Sequence, residues 1–342
     1  MNIWVCDVIK GRDNNLDLIR FIAAIMVIFS HAFPLSLGRE ERDYLLTVTG
    51  GQIDLGGIAV SIFFFYGGFL ICKSAYRLQS AKKYFKARII RIFPPIIVIT
   101  VLMVFLIGPI LSTLKVQEYF TRKLTYQYLL NSVLILAYNL PGVFENNIYG
   151  TEVNGSLWTL PLEFLGYILC FFMMKVGFLK SKCLKWIMPI FVFVHIAVIS
   201  IFSPQDMILM AWRPTAIFFV GMLYYVYQDK IYLSRRIAVI SMILLLFSTC
   251  LGILNVTIPF LGSYVFMYLG YGTKIKFSNF AKHGEISYGI YLCGFPIQQI
   301  VCESFGGSMN PILNAVISIP LAIICGFLLN RYMEKPIIKR LT

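Results

Sequence analysis

The sequence has little charge and no long polar stretch. Of its 342 residues, 13% are charged and 58% hydrophobic. A soluble domain of that length carries about twice the charge fraction, so a water-soluble globule is excluded and no appended soluble domain is expected. The 8 cysteines stand singly, with no CxxC and no Cys/His spacing, so neither a metal site nor a disulfide is expected. No GxSxG elbow, HExxH pair or phosphate-cradling glycine loop occurs. Low-complexity segments and internal repeats are absent too, which speaks against a transporter built on paired broken helices. The first apolar run is too long for a signal-peptide core, lacks a small-residue cleavage site and keeps its charges, so no cleavable leader is expected.

What is present is a series of apolar runs long enough to cross a bilayer. They lie near 14–34, 55–73, 92–111, 157–174, 186–203, 208–227, 237–254, 257–272, 286–303 and 311–331. The expected fold class is all-α: a polytopic transmembrane helix bundle of about ten spans, forming one integral-membrane domain over 1–342. The formal charge is +14, and its placement fixes the topology. With the N-terminus in the cytoplasm, Lys10 and Arg12 fall inside, as do Lys73, Arg77, Lys82, Lys83, Lys86, Arg88 and Arg91. Later loops and the tail, with Lys339 and Arg340, add further basic residues on the same side, which predicts both termini inside. Basic residues at the membrane edge suit lipid headgroups or an anionic cytosolic substrate, not nucleic acid. The segment 126–138 is apolar but short. Were it to cross, every later basic loop would face outward, so it is expected to be re-entrant or interfacial on the outer side.

Ionisable groups inside spans mark function more often than not. Arg20 and His31 are eleven residues apart, about three turns plus 20° on a helix and about 16 Å of rise, so they share one stripe at different depths. Asp17 lies within reach of Arg20. Snorkelling, a salt bridge and an interfacial histidine would explain each alone; all three on one stripe favour a lined cavity. Arg88 and Arg91 share a face at the inner mouth of a span, as either topology anchors or a phosphate-binding pair. In NGSLWTLPLEFLGY (154–167), Glu163 lies about 9 Å below Leu157 on helix rise, a depth similar to that of His31. Trp158 fits an interfacial belt or a sugar-stacking role. Arg213 is balanced between snorkelling and cavity lining. His195, alone in mid-span, is read as neutral and structural, and His283 as solvated. Gly67 and Gly68 are read as helix-packing residues. The segments GEISYGIYLCGFPIQQ (284–299) and RYMEKPIIKR (331–340) suggest no chemistry by themselves.

Taken together, these segments resemble the acyltransferase 3 family of bacterial inner-membrane proteins. The resemblance rests on Arg20 and His31 with ten residues between them, FFFYGGF (63–69), RIIRIFP (88–94), LWTLPLE (157–163), SYGIYL (287–292) and EKP (334–336). It covers the whole chain. Two positions depart from the family pattern: Gly67 stands where serine is common, and Gly294 where many members carry a second histidine. These departures are read as subfamily variation.

The resemblance implies a multi-pass O-acetyltransferase of the inner membrane. It would move an acetyl or other acyl group from cytosolic acyl-CoA to a surface polysaccharide, such as O-antigen or exopolysaccharide, or to its lipid-linked precursor. Acetyl-CoA is then a substrate, with no bound cofactor, and membrane lipids surround the bundle. His31 would be the general base, with Arg20 and Glu163 as its catalytic companions. Asp17, Arg88 and Arg91 would serve the donor, and Asn154, Trp158 and Arg213 the acceptor. A glycan transporter and a non-catalytic subunit of a polysaccharide machine are the rival classes.

Overall fold

The computed structural model describes residues 3–11, 13–203, 206–282 and 284–337. Arg12, His283, Lys339 and Arg340, read above from sequence, lie outside the described residues. Seven helices among those described are long and apolar enough to cross a membrane: Leu16–Leu37, Leu55–Leu78, Ala81–Leu111, Gly155–Val176, Lys182–Ile201, Met207–Val226 and Pro311–Ile337. The protein is thus a helical, multi-pass membrane protein. The other three expected spans coincide with helical stretches at Arg235–Cys250, 254–272 and Ser287–Ser304, which are not among these seven. One small departure from all-α is an antiparallel ribbon pairing Ile3–Trp4 with Tyr232–Leu233.

The chain divides into two compact units. The first comprises Met1–Ala23, Tyr44–Tyr84 and Leu162–Phe280. Its centre is the crossing of Leu55–Leu78 with Met207–Val226. A Cβ added at Gly68 would lie 2.0 Å from the Phe218 carbonyl oxygen, and one at Gly221 would lie 2.2 Å from that of Phe65. The two backbones therefore touch through glycine, which is how helices associate where lipid is as apolar as leucine. Asp54 caps Leu55–Leu78 by accepting from Gly57 N at 2.6 Å. Asn15, just before Leu16–Leu37, donates to Thr273 Oγ1 at 2.8 Å and Ile275 O at 3.0 Å, and accepts from Phe277 N at 2.7 Å.

The second unit comprises Ala24–Asp43, Phe85–Pro161 and Ala281–Thr342. Ser287–Ser304 and the helix beginning at Pro311 form a hairpin. It closes on Gly289, whose added Cβ would lie 2.7 Å from Gly326 Cα. Asn310 caps the second arm, accepting from Ile312 N and Leu313 N, with proline at the first position. The stretch between Leu111 and Gly155 folds on its own core, where Tyr119, Tyr128, Leu140, Val143, Phe144 and Val153 pack with Met103 and Val104. Within it, 126–138 forms no span-length helix. A short 3-10 turn, Tyr128–Val133, ends at Leu134 with φ 64°. Asn131 then folds the chain back, donating to Tyr128 O and Ala137 O and accepting from Ala137 N.

Candidate active site

His31 sits on the continuous helix Leu16–Leu37, three residues before Pro34. In the second unit its ring meets Phe295 edge-on, with centroids 5.5 Å apart. Tyr149 meets the same phenylalanine at 5.6 Å. Phe295 is buried on Ser287–Ser304. One residue before it, an added Cβ at Gly294 would lie 2.7 Å from Ile28 Cγ1, so Ile28 fills the place of a side chain at 294. Ile28 is one turn below His31 on its helix.

Beside these rings the 38–43 and 147–155 loops join. Arg39 Nη2 is 2.8 Å from Glu152 Oε1, and Arg39 Nε donates to Tyr149 O at 2.7 Å. The guanidinium lies 4.6 Å from the Tyr149 ring centroid. Burial, with the Glu152 carboxylate adding to it, pushes the Tyr149 phenol up to about 12, so it is a hydrogen-bond donor at neutral pH. Ser30 Oγ donates to the buried Asp43 carboxylate at 2.5 Å, tying the far end of the 38–43 loop to the His31 helix.

Asn154 is fully buried. Its amide donates to Leu292 O at 2.9 Å, and its carbonyl accepts from Ser156 N and Ser156 Oγ. It therefore caps the turn Gly155–Trp158, which leads into the next span with Trp158 half-buried at its end. Tyr291 OH bonds Ser156 O at 2.6 Å and Thr159 Oγ1 at 2.7 Å, fastening this entry to Ser287–Ser304.

Arg88 and Arg91 lie on Ala81–Leu111. Arg91 Nη2 is 3.5 Å from Glu285 Oε2. Glu285 also accepts from Ser287 N at 2.8 Å, while Asn330 Nδ2 donates to Glu285 O at 2.9 Å and Glu334 Oε2 at 3.1 Å. Tyr288 OH donates to Ile92 O at 3.0 Å. The late segments that suggested no chemistry thus hold the carboxylate that pairs with Arg91. Glu285 was missed because its partner is 194 positions away; the only local signal is an acid beside a serine–tyrosine pair. Glu152, Arg39 and Tyr149 were likewise missed, since loop residues carry no periodicity.

The remaining candidates belong to the first unit. Asp17 and Arg20 stand half-buried in the opening turns of Leu16–Leu37, where Asp17 complements the helix dipole. Glu163 accepts a hydrogen bond from Tyr167 OH one turn on. Arg213 Nε and Nη2 are buried with no hydrogen-bond partner among the described residues. His195 accepts from Trp212 Nε1 at 3.0 Å through Nδ1, which leaves Nε2–H for Val256 O at 3.2 Å. That tautomer is neutral, and its role is structural. No group of three His, Cys, Asp or Glu suited to a metal ion occurs among the described residues.

The profile of the acyltransferase 3 family, described as "Acyltransferase domain", matches residues 13–331. The chain belongs to that family, and it is an acyltransferase. It is 31% identical over 316 residues to a protein named "O-acetyl transferase" from Shigella phage Sf6, covering 89% of this chain and 91% of that one. It is 30% identical over 169 residues to "Nodulation protein 10" of Rhizobium leguminosarum bv. viciae, covering 46% and 43%. No solved structure gives a significant match.

Proposed function

We propose that the protein is an O-acetyltransferase that moves acetyl from cytosolic acetyl-CoA to a hydroxyl of a surface polysaccharide or its lipid-linked precursor. The observation that supports this most is the near full-length similarity to the phage O-acetyl transferase, together with a histidine whose ring stands beside a polar, aromatic loop cluster. His31 takes the proton from the acceptor hydroxyl as its oxygen attacks the thioester carbonyl. The C–S bond breaks, an ester forms, and the CoA thiolate leaves and takes up a proton. Imidazole suits this because it exchanges a proton near neutral pH. Arg88 and Arg91 hold the anionic end of CoA through planar, bidentate geometry. Asp17 serves the donor, and Arg20, about three turns from His31 on one helix, is its catalytic companion. Glu163 is the carboxylate assigned to the catalytic set, and Trp158 and Arg213 to the acceptor side. The membrane is the bacterial inner membrane, the termini are cytoplasmic, and about ten helices span, with 126–138 at the outer interface.

The test is NMR of surface glycan from cells with and without the protein. Acetyl-ester signals should appear only with it. Equal ester content in both, with the glycan still exported, would overturn the reading.

A further inference from the structure

Glu152 and Arg39 have no role in the chemistry above, yet they stand beside the ring on which His31 packs. An exposed ion pair contributes only about 0–1 kcal/mol, and this one is held with more care than that. Buried Gln299 donates to Gly150 O at 3.0 Å and Glu152 O at 2.8 Å. Buried Asn147 in turn donates to Gln299 Oε1 at 2.8 Å. Val153 N donates to Tyr138 O at 2.7 Å, and Glu152 pairs with Asn139 in a β-bridge. Gly150, at φ +111°, leaves the room Arg39 occupies: an added Cβ there would lie 3.2 Å from Arg39 Nη2. The strap is thus fixed before any ligand arrives.

One carboxylate oxygen remains available. Glu152 Oε1 is taken by Arg39. Oε2 has the Tyr149 hydroxyl at 3.4 Å, longer than an O–H···O bond normally runs, and the side chain is 22% exposed. Gly155 separates this oxygen from the Phe295 ring. An added Cβ at 155 would lie 2.8 Å from that ring and 3.3 Å from Oε2. A carboxylate acceptor, a guanidinium donor and the half-buried Tyr149 ring therefore border one place, with buried Phe295 packed behind that ring. Within the pair the charge of Arg39 is met by that of Glu152, so the pair itself favours neither anions nor cations. A neutral polyol fits it, because each hydroxyl both donates and accepts.

We propose that Glu152, Arg39 and Tyr149 form the acceptor-sugar subsite. A neutral sugar ring rests against Tyr149, one hydroxyl donates to Glu152 Oε2, another accepts from Arg39, and a third is presented to His31. This rests on the acetyl-transfer reading.

The test uses full-length protein in lipid nanodiscs and alkali-treated, ester-free surface polysaccharide from the producing cells, with binding measured by thermophoresis without donor. Glu152→Gln should weaken polysaccharide binding about tenfold, the usual scale for a hydrogen bond to a charged group, and leave acetyl-CoA binding and the melting temperature unchanged. Arg39→Lys, run in parallel in case the glutamine variant misfolds, keeps the charge but loses the planar fork and should weaken it about fivefold. Unchanged polysaccharide binding in folded variants, an equal loss of acetyl-CoA affinity, or a wild-type protein that binds no polysaccharide would overturn the subsite. Polysaccharide binding that falls as expected while wild-type protein forms no ester from acetyl-CoA would instead uphold the subsite and overturn the transfer reading.

Discussion

Glu285 Oε2 lies 3.5 Å from Arg91 Nη2, so the arginine assigned to the donor already has an anionic partner. A donor phosphate must share or displace that carboxylate. Glu285→Gln keeps an oxygen for Ser287 N and removes the competing charge. Acetyl-CoA affinity should rise about two- to fivefold, the range of a half-exposed ion pair. Calorimetric titration in nanodiscs checks this, and weaker binding would mean that Glu285 orients Arg91 productively.

Replacing Arg88 and Arg91 together by alanine should weaken acetyl-CoA binding by at least tenfold. The double lysine variant should recover only part of it, because an ammonium keeps the charge without the bidentate fork. Wild-type affinity in the double alanine protein would return the pair to topology anchoring.

His31→Gln should lower acetyl transfer by about 10²–10⁴-fold, the scale of a lost general base. Protein abundance and acetyl-CoA affinity should stay at wild-type levels, since Arg88 and Arg91 lie on another helix and Asp17 lies more than three turns away on this one. Glycan ester content at the wild-type level would make His31 structural.

Gly67 and Gly68 should respond oppositely to substitution. At 67 an added Cβ has only the Phe218 ring at 3.6 Å, ordinary contact, so Gly67→Ser should leave the melting temperature within about 2 °C of wild type. At 68 it would strike the Phe218 carbonyl, so Gly68→Ala should destabilise by about 1–3 kcal/mol or more. Thermal unfolding in detergent distinguishes the two.

Reporter fusions at positions near 78, 145 and 180 should read inside, outside and inside. An inside signal near 145 would show that the 126–138 segment crosses after all.

Much of the architecture was legible because lipid imposes a length and an apolar composition on every span. The basic loops alone set 126–138 apart from the spans, and the structure forms no span-length helix there, although Asn131, which folds the segment back, gave no cue. The site was legible only where a charge interrupts a span, as at His31 and Arg88. Asn154 drew notice as an acceptor-side residue, yet its amide is spent on Leu292 O and the turn at Ser156, bonds that only the fold reveals. Arg39, Tyr149 and Glu152 meet because Gln299, nearly 150 positions from Gly150, holds their loop. No local pattern encodes such a bond.

The contact between Gly294 and Ile28 has an evolutionary consequence. A histidine at 294 would need the volume Ile28 now holds, and a smaller residue at 28 would leave a void unless 294 grew. The two positions can therefore change only in concert. A single change at either site passes through an overpacked or a cavity-bearing state, so a catalogue of single substitutions there would record a defect of packing as though it were a defect of chemistry.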